Sequence, residues 1–314
     1  MATISLPSYL NMGEDVRELH RAFKGFGCDE KKVIQILAHR TQSQRLAIAD
    51  AYHHQYGESI HKRLKSELHG KLEEVMLLWM MGPAQRDAIL IYDSMKGLGT
   101  KDSALIGIIC TRTPSQIYEI KQAYQAMYQQ ALESQVSGDT SGDYRKLLLA
   151  LLRGSRSETF SVDSNLALAD AHDLYRAGEA RLGTNEDIII HILTTRSPAQ
   201  LNLALQYYRQ TYGHEFMKAV KSETSGHFEA AILAVVQCTC NPAKFFAQEL
   251  HDAMKGYGTK DADLMRVITT RAEIDMYYIK QEFQAMFKKT LQEAIQSNTS
   301  GDYRHFLLSL VGDA

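Results

Sequence analysis

The sequence predicts an all-α protein assembled from repeats of one helical unit. Only 5 of its 314 residues are proline, and stretches that alternate apolar and polar residues between turn signals, as strands do, are hard to find. Apolar residues instead return at steps of three and four, for example at Val33, Ile36 and Leu37, which is the spacing of an amphipathic helix. A glycine-rich motif that occurs four times defines the repeat.

The four motifs bring the rest of the chain into register without gaps. We count the residue after the second glycine of each motif as position zero. An apolar residue then recurs at +5 and +9, an arginine at +12, an aromatic residue at +28 and a glycine at +42. So many matching columns indicate four copies of one unit. The zero positions are Cys28, Thr100, Thr184 and Thr259, and the +12 arginines are Arg40, Arg112, Arg196 and Arg271.

Length alone suggests about two domains, but the repeats replace that estimate with four units in one body, each made of short helices. A stretch rich in Ser, Thr, Asn and charged residues separates the second unit from the third and is typical of a linker. The predicted divisions are an N-terminal tail (1–12), repeat 1 (13–82), repeat 2 (83–155), a linker (156–167), repeat 3 (168–240) and repeat 4 (241–314).

The composition excludes two classes of protein. Hydrophobic residues make up 45% of the chain and charged residues 23%, which excludes a wholly disordered protein. The 35 basic residues nearly balance the 37 acidic ones, for a formal net charge of -2, so the totals show no basic footprint for nucleic acid. An anionic partner must therefore be attracted locally or through a bridging cation.

The N-terminus and the cysteines favour a reduced, cytosolic setting. The first residues, MATISLPSYLN, lack the basic and apolar regions of a secretory signal. The longest apolar runs, such as Val75–Met81 and Leu147–Leu152, are far shorter than the ~20 residues that span a bilayer. No cysteine pair has zinc-binding or C-x-x-C spacing. The cysteines are Cys28, Cys110, Cys238 and Cys240.

The glycine-rich loops predict a cation site. Glycine permits positive φ, which lets several backbone carbonyls point at one spot, and carbonyl oxygens are ligands for Ca²⁺. A carboxylate should join them, and position +39 supplies Glu67, Asp139 and Glu223, but Asn298 in the fourth repeat. We expect this residue at the start of the last helix of each repeat. The alternative is that the loop is only a tight turn and the acid a helix N-terminal cap.

With these motifs the sequence resembles an annexin over essentially the whole chain. No EF-hand pattern and no phosphate loop compete with this assignment. The resemblance implies four bundles of five helices in a slightly curved disc, with calcium loops on the convex face. It also implies peripheral, calcium-dependent binding to acidic phospholipid of the phosphatidylserine kind. The protein would then be cytoplasmic and recruited reversibly to membranes, and it could form oligomers there. Several stretches resemble plant annexins in particular: ILAHR at Ile36–Arg40, AYHHQYGE at Ala51–Glu58, LLW at Leu77–Trp79 and TTRAEID at Thr269–Asp275.

The resemblance also implies a ligand set for each loop, carbonyl oxygens with one carboxylate. The fourth set lacks its carboxylate, so we predict that this site is weak or empty, although plant annexins usually keep sites one and four. Cys28 replaces threonine in the first loop, where the implied ligand is backbone, so a small effect is expected. The sets are Phe23, Gly25, Gly27 and Glu67; Met95, Gly97, Gly99 and Asp139; Gly178, Arg181, Gly183 and Glu223; and Met254, Gly256 and Gly258.

The side chains at the loop tips add a second expectation. One apolar residue in each loop is suited to dip into a lipid interface, and a neighbouring basic residue to touch headgroups, with a solvated loop as the alternative. The apolar residues are Phe26, Leu98, Leu182 and Tyr257, and the basic ones are Lys24, Lys96, Arg181 and Lys255.

The resemblance leaves secondary roles open, although a non-enzymatic protein is expected. Plant annexins have been associated with peroxidase activity through a histidine that matches His39, and with a redox pair that matches Cys110 and Cys238. Ion conduction would use a charged centre that Asp87, Arg112 and Arg266 match, although Gly107 replaces an acid there. The alternatives are a helix histidine, buried inert thiols, a structural salt-bridge cluster and, for the +12 arginines, clamps between helices.

Overall fold

A computed structural model describes residues 1–4, 11–25, 27–97, 99–180 and 183–312. The elements in these ranges are α-helices, which confirms the predicted all-α class. The first ten helices are α1 (Met12–Ala22), α2 (Glu30–Leu37), α3 (Gln42–Tyr56), α4 (Ile60–Glu67), α5 (Gly70–Met80), α6 (Pro83–Met95), α7 (Asp102–Ile109), α8 (Pro114–Tyr128), α9 (Leu132–Asp139) and α10 (Gly142–Leu152). The last ten are α11 (Ser164–Ala177), α12 (Glu186–Thr195), α13 (Pro198–Tyr212), α14 (Phe216–Glu223), α15 (Gly226–Cys240), α16 (Pro242–Met254), α17 (Asp261–Arg271), α18 (Met276–Phe287), α19 (Leu291–Asn298) and α20 (Gly301–Val311).

Local sequence explains where many of these helices begin. The helices α6, α8, α13 and α16 each begin with proline, whose fixed φ and missing N–H suit the first helical position. Thr41, Thr113 and Thr290 form capping boxes, in which the threonine and a Gln or Glu three residues later satisfy each other's backbone N–H groups. These prolines therefore begin helices rather than interrupt them.

The helices fall into two compact units. Unit 1 comprises residues 1–86 and 246–314, so it combines the first repeat with the fourth. Unit 2 comprises residues 87–245 and combines the second repeat with the third.

Within each unit the two repeats pack in the same way. In unit 1, α2 packs on α20 and α5 on α17; in unit 2, α7 packs on α15 and α10 on α12. The second helix of one repeat thus contacts the fifth helix of the other. Side chains at equivalent positions meet at these contacts: Lys71 pairs with Asp261 at 2.5 Å in unit 1, and His227 Nε2 lies 3.4 Å from Asp102 Oδ2 in unit 2.

The repeating apolar columns form the cores. The +9 residues are almost fully buried in all four repeats, and the +5 residues are at most 3% exposed. Burial of such side chains stabilises each repeat by roughly 1.5–3 kcal/mol per residue. The +9 residues are Leu37, Ile109, Leu193 and Ile268, and the +5 residues are Val33, Leu105, Ile189 and Leu264.

Part of the predicted linker is helical. The structure begins α11 at Ser164, because the Asp163 carboxylate caps its first backbone N–H groups, so the last part of the 156–167 segment is helical. The segment before it is tied down within unit 2, where Ser115 Oγ donates to Glu158 Oε2 at 2.7 Å. The tail and repeat boundaries given above stay predictions.

Candidate metal-binding loops

Each glycine-rich loop joins the first helix of a repeat to the second and is closed by the same backbone hydrogen bond. The N–H at position +1 donates to a carbonyl at the end of the first helix. The third loop is one residue longer and still makes the bond, which confirms the register deduced from sequence. The pairs are Asp29 N to Ala22 O (2.9 Å), Lys101 N to Ser94 O (2.8 Å), Asn185 N to Ala177 O (2.7 Å) and Lys260 N to Ala253 O (2.8 Å).

The loop glycines have the backbone conformation expected of them. In the first loop, φ is +120° at Gly25 and +95° at Gly27, and the glycines of the second and fourth loops are similar. No atom lies within 4 Å of a Cβ built at either glycine, so backbone conformation rather than space requires glycine here. In the third loop Gly183 has a φ of +76°, whereas Gly178 is buried at the end of α11. Arg181, assigned as a ligand in that loop, lies outside the described residues.

The +39 residue does not start the last helix of the repeat, as the sequence suggested, but ends the preceding one. Glu67, Asp139 and Glu223 are the final residues of α4, α9 and α14. The two residues that follow, such as Leu68 and His69, are extended, and the last helix begins at the +42 glycine. The prediction was wrong because a two-residue extended segment, which the sequence does not reveal, separates the acid from the last helix.

This position argues against the alternative that the acid is a helix N-terminal cap. The C-terminal end of a helix carries partial negative charge, so a carboxylate there is unfavourable unless a cation lies near it. An acid that served as a helix cap would lie at the opposite end. Asp139 and Glu223 are both exposed at these helix ends, which leaves their oxygens accessible.

A threonine ties the loop to the helix that carries the +39 residue. Thr100 Oγ1 donates to the Asp139 carbonyl at 3.2 Å, and Thr259 Oγ1 donates to the Asn298 carbonyl at 2.8 Å. In the third loop Thr184 donates to Glu186 instead. The first loop has Cys28, a weaker donor, whose pKa is raised to about 12 by burial and by Glu30 and Glu67 nearby. Cys28 is therefore a neutral thiol rather than a thiolate.

The first loop is tied by an arginine. Arg63, on α4, donates from Nη2 to the Phe23 carbonyl at 2.7 Å, and the same nitrogen lies 3.3 Å from Glu67 Oε1. Phe23 is itself 1% exposed. Two of the predicted ligands of the first site therefore share one guanidinium as their partner.

The fourth loop has the backbone of a site without the carboxylate. Gly256 and Gly258 have φ of +93° and +90°, but the Asn298 side chain donates from Nδ2 to the Ala294 carbonyl of its own helix at 2.8 Å. Among the described residues no group of three His, Cys, Asp or Glu side chains forms a metal cluster. The predicted sites, with carbonyls and a single carboxylate, are of another kind.

Of the predicted tip residues, Tyr257 is fully exposed, whereas Phe26, Leu98, Arg181 and Leu182 lie outside the described residues. Lys24, Lys96 and Lys255 are exposed, and Lys255 pairs with Asp252 at 2.6 Å.

A stacked pair of rings joins the first and third helices of each repeat, and the sequence analysis identified only the second ring of each pair. The +28 aromatic residue stacks on a ring from the first helix of its repeat, with interplanar angles of 5–7°. An aromatic or histidine at -8 was the available signal, although the longer third loop moves it to -9. The pairs are His20 with Tyr56, Tyr92 with Tyr128, Tyr175 with Tyr212 and His251 with Phe287.

The +12 arginines clamp the helices on either side of the loop, as predicted, in three repeats. Each forms a two-pronged ion pair with an aspartate of the first helix. In the fourth repeat Phe246 replaces that aspartate, and Arg271 lies 4.4 Å from its ring centroid while pairing with Asp275. The three aspartate pairs are Arg40 with Asp15, Arg112 with Asp87 and Arg196 with Asp170.

The residues of the secondary roles lie in structural settings. Asp87 pairs with Arg112, while Arg266 pairs with Glu249 at 2.8 Å and Asp263 at 3.0 Å. His39 is half-buried next to the Arg40 clamp. Burial raises the pKa of Cys110 far above its ordinary value.

No helix in the described ranges has both the length and the apolar character needed to cross a bilayer. This fits the short apolar runs seen in the sequence.

Comparison with known proteins shows the same four-repeat architecture. The annexin family profile matches residues 14–79, 86–151, 169–235 and 245–310. Annexin A8 of Pan troglodytes is 43% identical over 99% of this chain and 95% of its own. The solved structure of annexin III is 41% identical, with a TM-score of 0.97 and coverage of 99% of this chain and 97% of that one.

A solved structure of a calcium-bound annexin, annexin (Sm)1, is 31% identical with a TM-score of 0.90, covering 100% of this chain and 93% of that one. Among the most similar curated relatives are annexins A8, A7 and A13 of animals, so the closer resemblance to plant members is not supported. Four profile matches in register with four closed loops, and close similarity over nearly the whole length, show that this chain belongs to the annexin family.

Proposed function

We propose that this protein binds acidic phospholipid surfaces in a calcium-dependent manner, with Ca²⁺ shared between its glycine loops and lipid phosphate. The observation that carries the proposal is the carboxylate at the C-terminal end of the fourth helix, next to a loop whose glycines have positive φ. That end of a helix favours a cation. The threonine bond from Thr100 to Asp139 places the loop and the acid side by side in the second repeat.

The donor set fits Ca²⁺ and is incomplete, which gives lipid a role. Three carbonyls and one two-oxygen carboxylate supply about five of the 6–8 oxygens that Ca²⁺ takes. Water or a lipid phosphate completes the set, so calcium and membrane increase each other's affinity. A loop alone is expected to bind weakly, with a Kd of about 10⁻⁴–10⁻³ M.

The proposed ligands follow the sequence assignment. The first three loops would hold the ion with Glu67, Asp139 and Glu223 and the loop carbonyls. The fourth loop, with Asn298 held against its own helix, is proposed to be weak or empty. Several sites on one protein then add avidity on a surface that carries many phosphates.

The near-neutral charge of -2 suits reversible recruitment from the cytoplasm. Without bound calcium the protein has little net attraction to an anionic surface, and each bound ion adds positive charge where phosphate must approach.

The redox alternative is less well supported, because burial raises the pKa of Cys110 and disfavours its reactive thiolate.

Vesicle co-sedimentation tests the proposal. The protein should sediment with phosphatidylserine vesicles when Ca²⁺ is present, remain in the supernatant with phosphatidylcholine vesicles, and be released by EDTA. Failure to sediment with phosphatidylserine at millimolar calcium would refute the proposal.

A matched pair of variants tests the sites. Glu67→Gln combined with Asp139→Asn should raise the calcium concentration for half-maximal sedimentation by at least about tenfold, because ligand charge tunes calcium affinity. Glu18→Gln removes a half-buried acid of α1 that pairs with Arg21, and should leave that concentration unchanged. Equal effects of the two changes would show that general charge, rather than the loops, controls binding.

A further inference from the structure

The first loop differs from the others in having a cation of its own chain at its ligands. Arg63 lies one turn before Glu67 on α4, and its Nη2 contacts both the Phe23 carbonyl at 2.7 Å and Glu67 Oε1 at 3.3 Å. We propose that Arg63 competes with Ca²⁺ for these oxygens, so that the first loop requires more calcium than the second and third. This inference rests on the calcium-binding function proposed above.

The competition follows from shared oxygens. The Phe23 carbonyl and the Glu67 carboxylate are two of the four groups assigned to the first site. A guanidinium holds such oxygens by charge-assisted hydrogen bonds, which are about twice as strong as neutral ones. The guanidinium of arginine carries a permanent positive charge. Calcium must therefore displace Arg63 to reach these oxygens.

Partial burial strengthens the contact. The side chains of Arg63 and Glu67 are 30% and 20% exposed, whereas Asp139 and Glu223 are exposed at the equivalent helix ends. The Nε of Arg63 is buried and has no hydrogen-bond partner among the described residues. The contacts that Nη2 makes at the loop therefore hold this side chain in place.

Arg63 also takes the place of a hydrogen bond between loop and helix that the first repeat lacks. In the second and fourth repeats a threonine hydroxyl joins the loop to the helix that ends at +39, and the first repeat has the weaker donor Cys28 at that position. The bond from Arg63 to Phe23 joins the same helix to the start of the loop. The arginine thus stabilises the loop before calcium binds and offsets the negative end of α4.

The other repeats show which substitution to make. The residue in the position of Arg63 is Gln135 in the second repeat, Ala219 in the third and Ala294 in the fourth. An uncharged residue is therefore compatible with the fold here, and Arg63→Gln converts the first repeat to the pattern of the second.

Calorimetric titration with Ca²⁺, without lipid, tests the inference. The starting chain carries Asp139→Asn and Glu223→Gln, so that the first loop dominates the binding signal. Adding Arg63→Gln should lower the calcium concentration at half-saturation by about tenfold, the size of one charge-assisted hydrogen bond that is partly screened by solvent. A change of less than about twofold would overturn the inference, since twofold is about the least that one net hydrogen bond predicts.

Two further variants separate competition from general charge and from misfolding. Lys65→Gln removes an exposed positive charge on the same helix and should leave the midpoint unchanged; a drop equal to that of Arg63→Gln would overturn the inference. Gln135→Arg, in a chain whose second loop alone keeps its acid, should raise the midpoint about tenfold. If Arg63→Gln fails to fold by circular dichroism, this transplant decides, and no rise would overturn the inference.

The unmodified chain distinguishes the two levels of the proposal. If it binds no calcium with or without phosphatidylserine vesicles, the proposed function fails and this inference fails with it. If it binds calcium and the midpoint of the first loop is insensitive to Arg63, only this inference fails.

Discussion

Removing the carboxylate of Asp15 is expected to destabilise unit 1 and to loosen the first loop together. Asp15 lies on α1 and Arg40 just after α2, so their pair spans the loop between these helices. Arg40 Nε and Nη2 donate to the two carboxylate oxygens at 2.7 and 2.6 Å. Asp15→Leu leaves the guanidinium without its main partner.

The geometry sets the size of the effect. Both side chains are 8% exposed, and breaking a buried pair on one side costs about 3–5 kcal/mol. Arg40 Nη1 still donates to the His39 carbonyl at 3.0 Å, so the lower end, about 3 kcal/mol, is expected. For a unit of this size, each kcal/mol lowers Tm by about 2–4 °C, which gives a drop of about 6–12 °C.

Calorimetric melting in EDTA measures the loss, and a calcium titration shows whether the loop is weakened as well. Asp15→Leu combined with Arg40→Met should recover most of the stability, because an apolar pair leaves no buried charge. Glu18→Gln, which breaks a pair that is 70% and 31% exposed, should lower Tm by less than about 2 °C. A drop for Asp15→Leu as small as that of Glu18→Gln would refute the reasoning.

Three further results are expected. Asn298→Asp should lower the calcium needed for vesicle binding by at least about threefold, because it restores a charged ligand, and no shift would show that the fourth loop lacks more than an acid. Burial lowers the pKa of His61 below 6.5, so stability present above pH 6.5 is lost as the pH falls through the lower folded pKa; His61→Met should flatten Tm between about pH 7 and 5, and an unchanged slope would assign the titration elsewhere. The buried Cys110 should react with a soluble maleimide at least about 100-fold more slowly than the exposed Cys240, and equal rates would revive the redox alternative.

Features that depend on a few neighbouring residues could be predicted from the sequence. The positive φ of Gly25 and Gly27 follows from the lack of a side chain, and the apolar columns follow from helical spacing. The repeats predicted how the four units align. An arginine at the same offset in all four, such as Arg40, predicted a structural clamp between helices.

Features that depend on partners far away in the chain could not be predicted from the sequence. The spacing of Arg63 and Glu67 allows an ion pair within α4, but the bond from Arg63 to the Phe23 carbonyl could not be predicted, because Phe23 lies 40 residues earlier. The aspartates of the clamps precede the motif and lie outside the aligned columns. The end of α4 was also missed, because the short extended segment at Leu68 and His69 resembles a helix cap until its φ and ψ are known.

The division of the chain into units has a consequence for its synthesis. Unit 1 needs residues 1–86 and 246–314, and the whole of unit 2 is made between them. At about 5–20 residues per second, roughly ten to forty-five seconds pass between the synthesis of the first repeat and that of its partner helices. Until then α2 and α5 lack α20 and α17, against which they pack. The first repeat is thus the part of the nascent chain that remains longest without its partner and most open to aggregation or to chaperones.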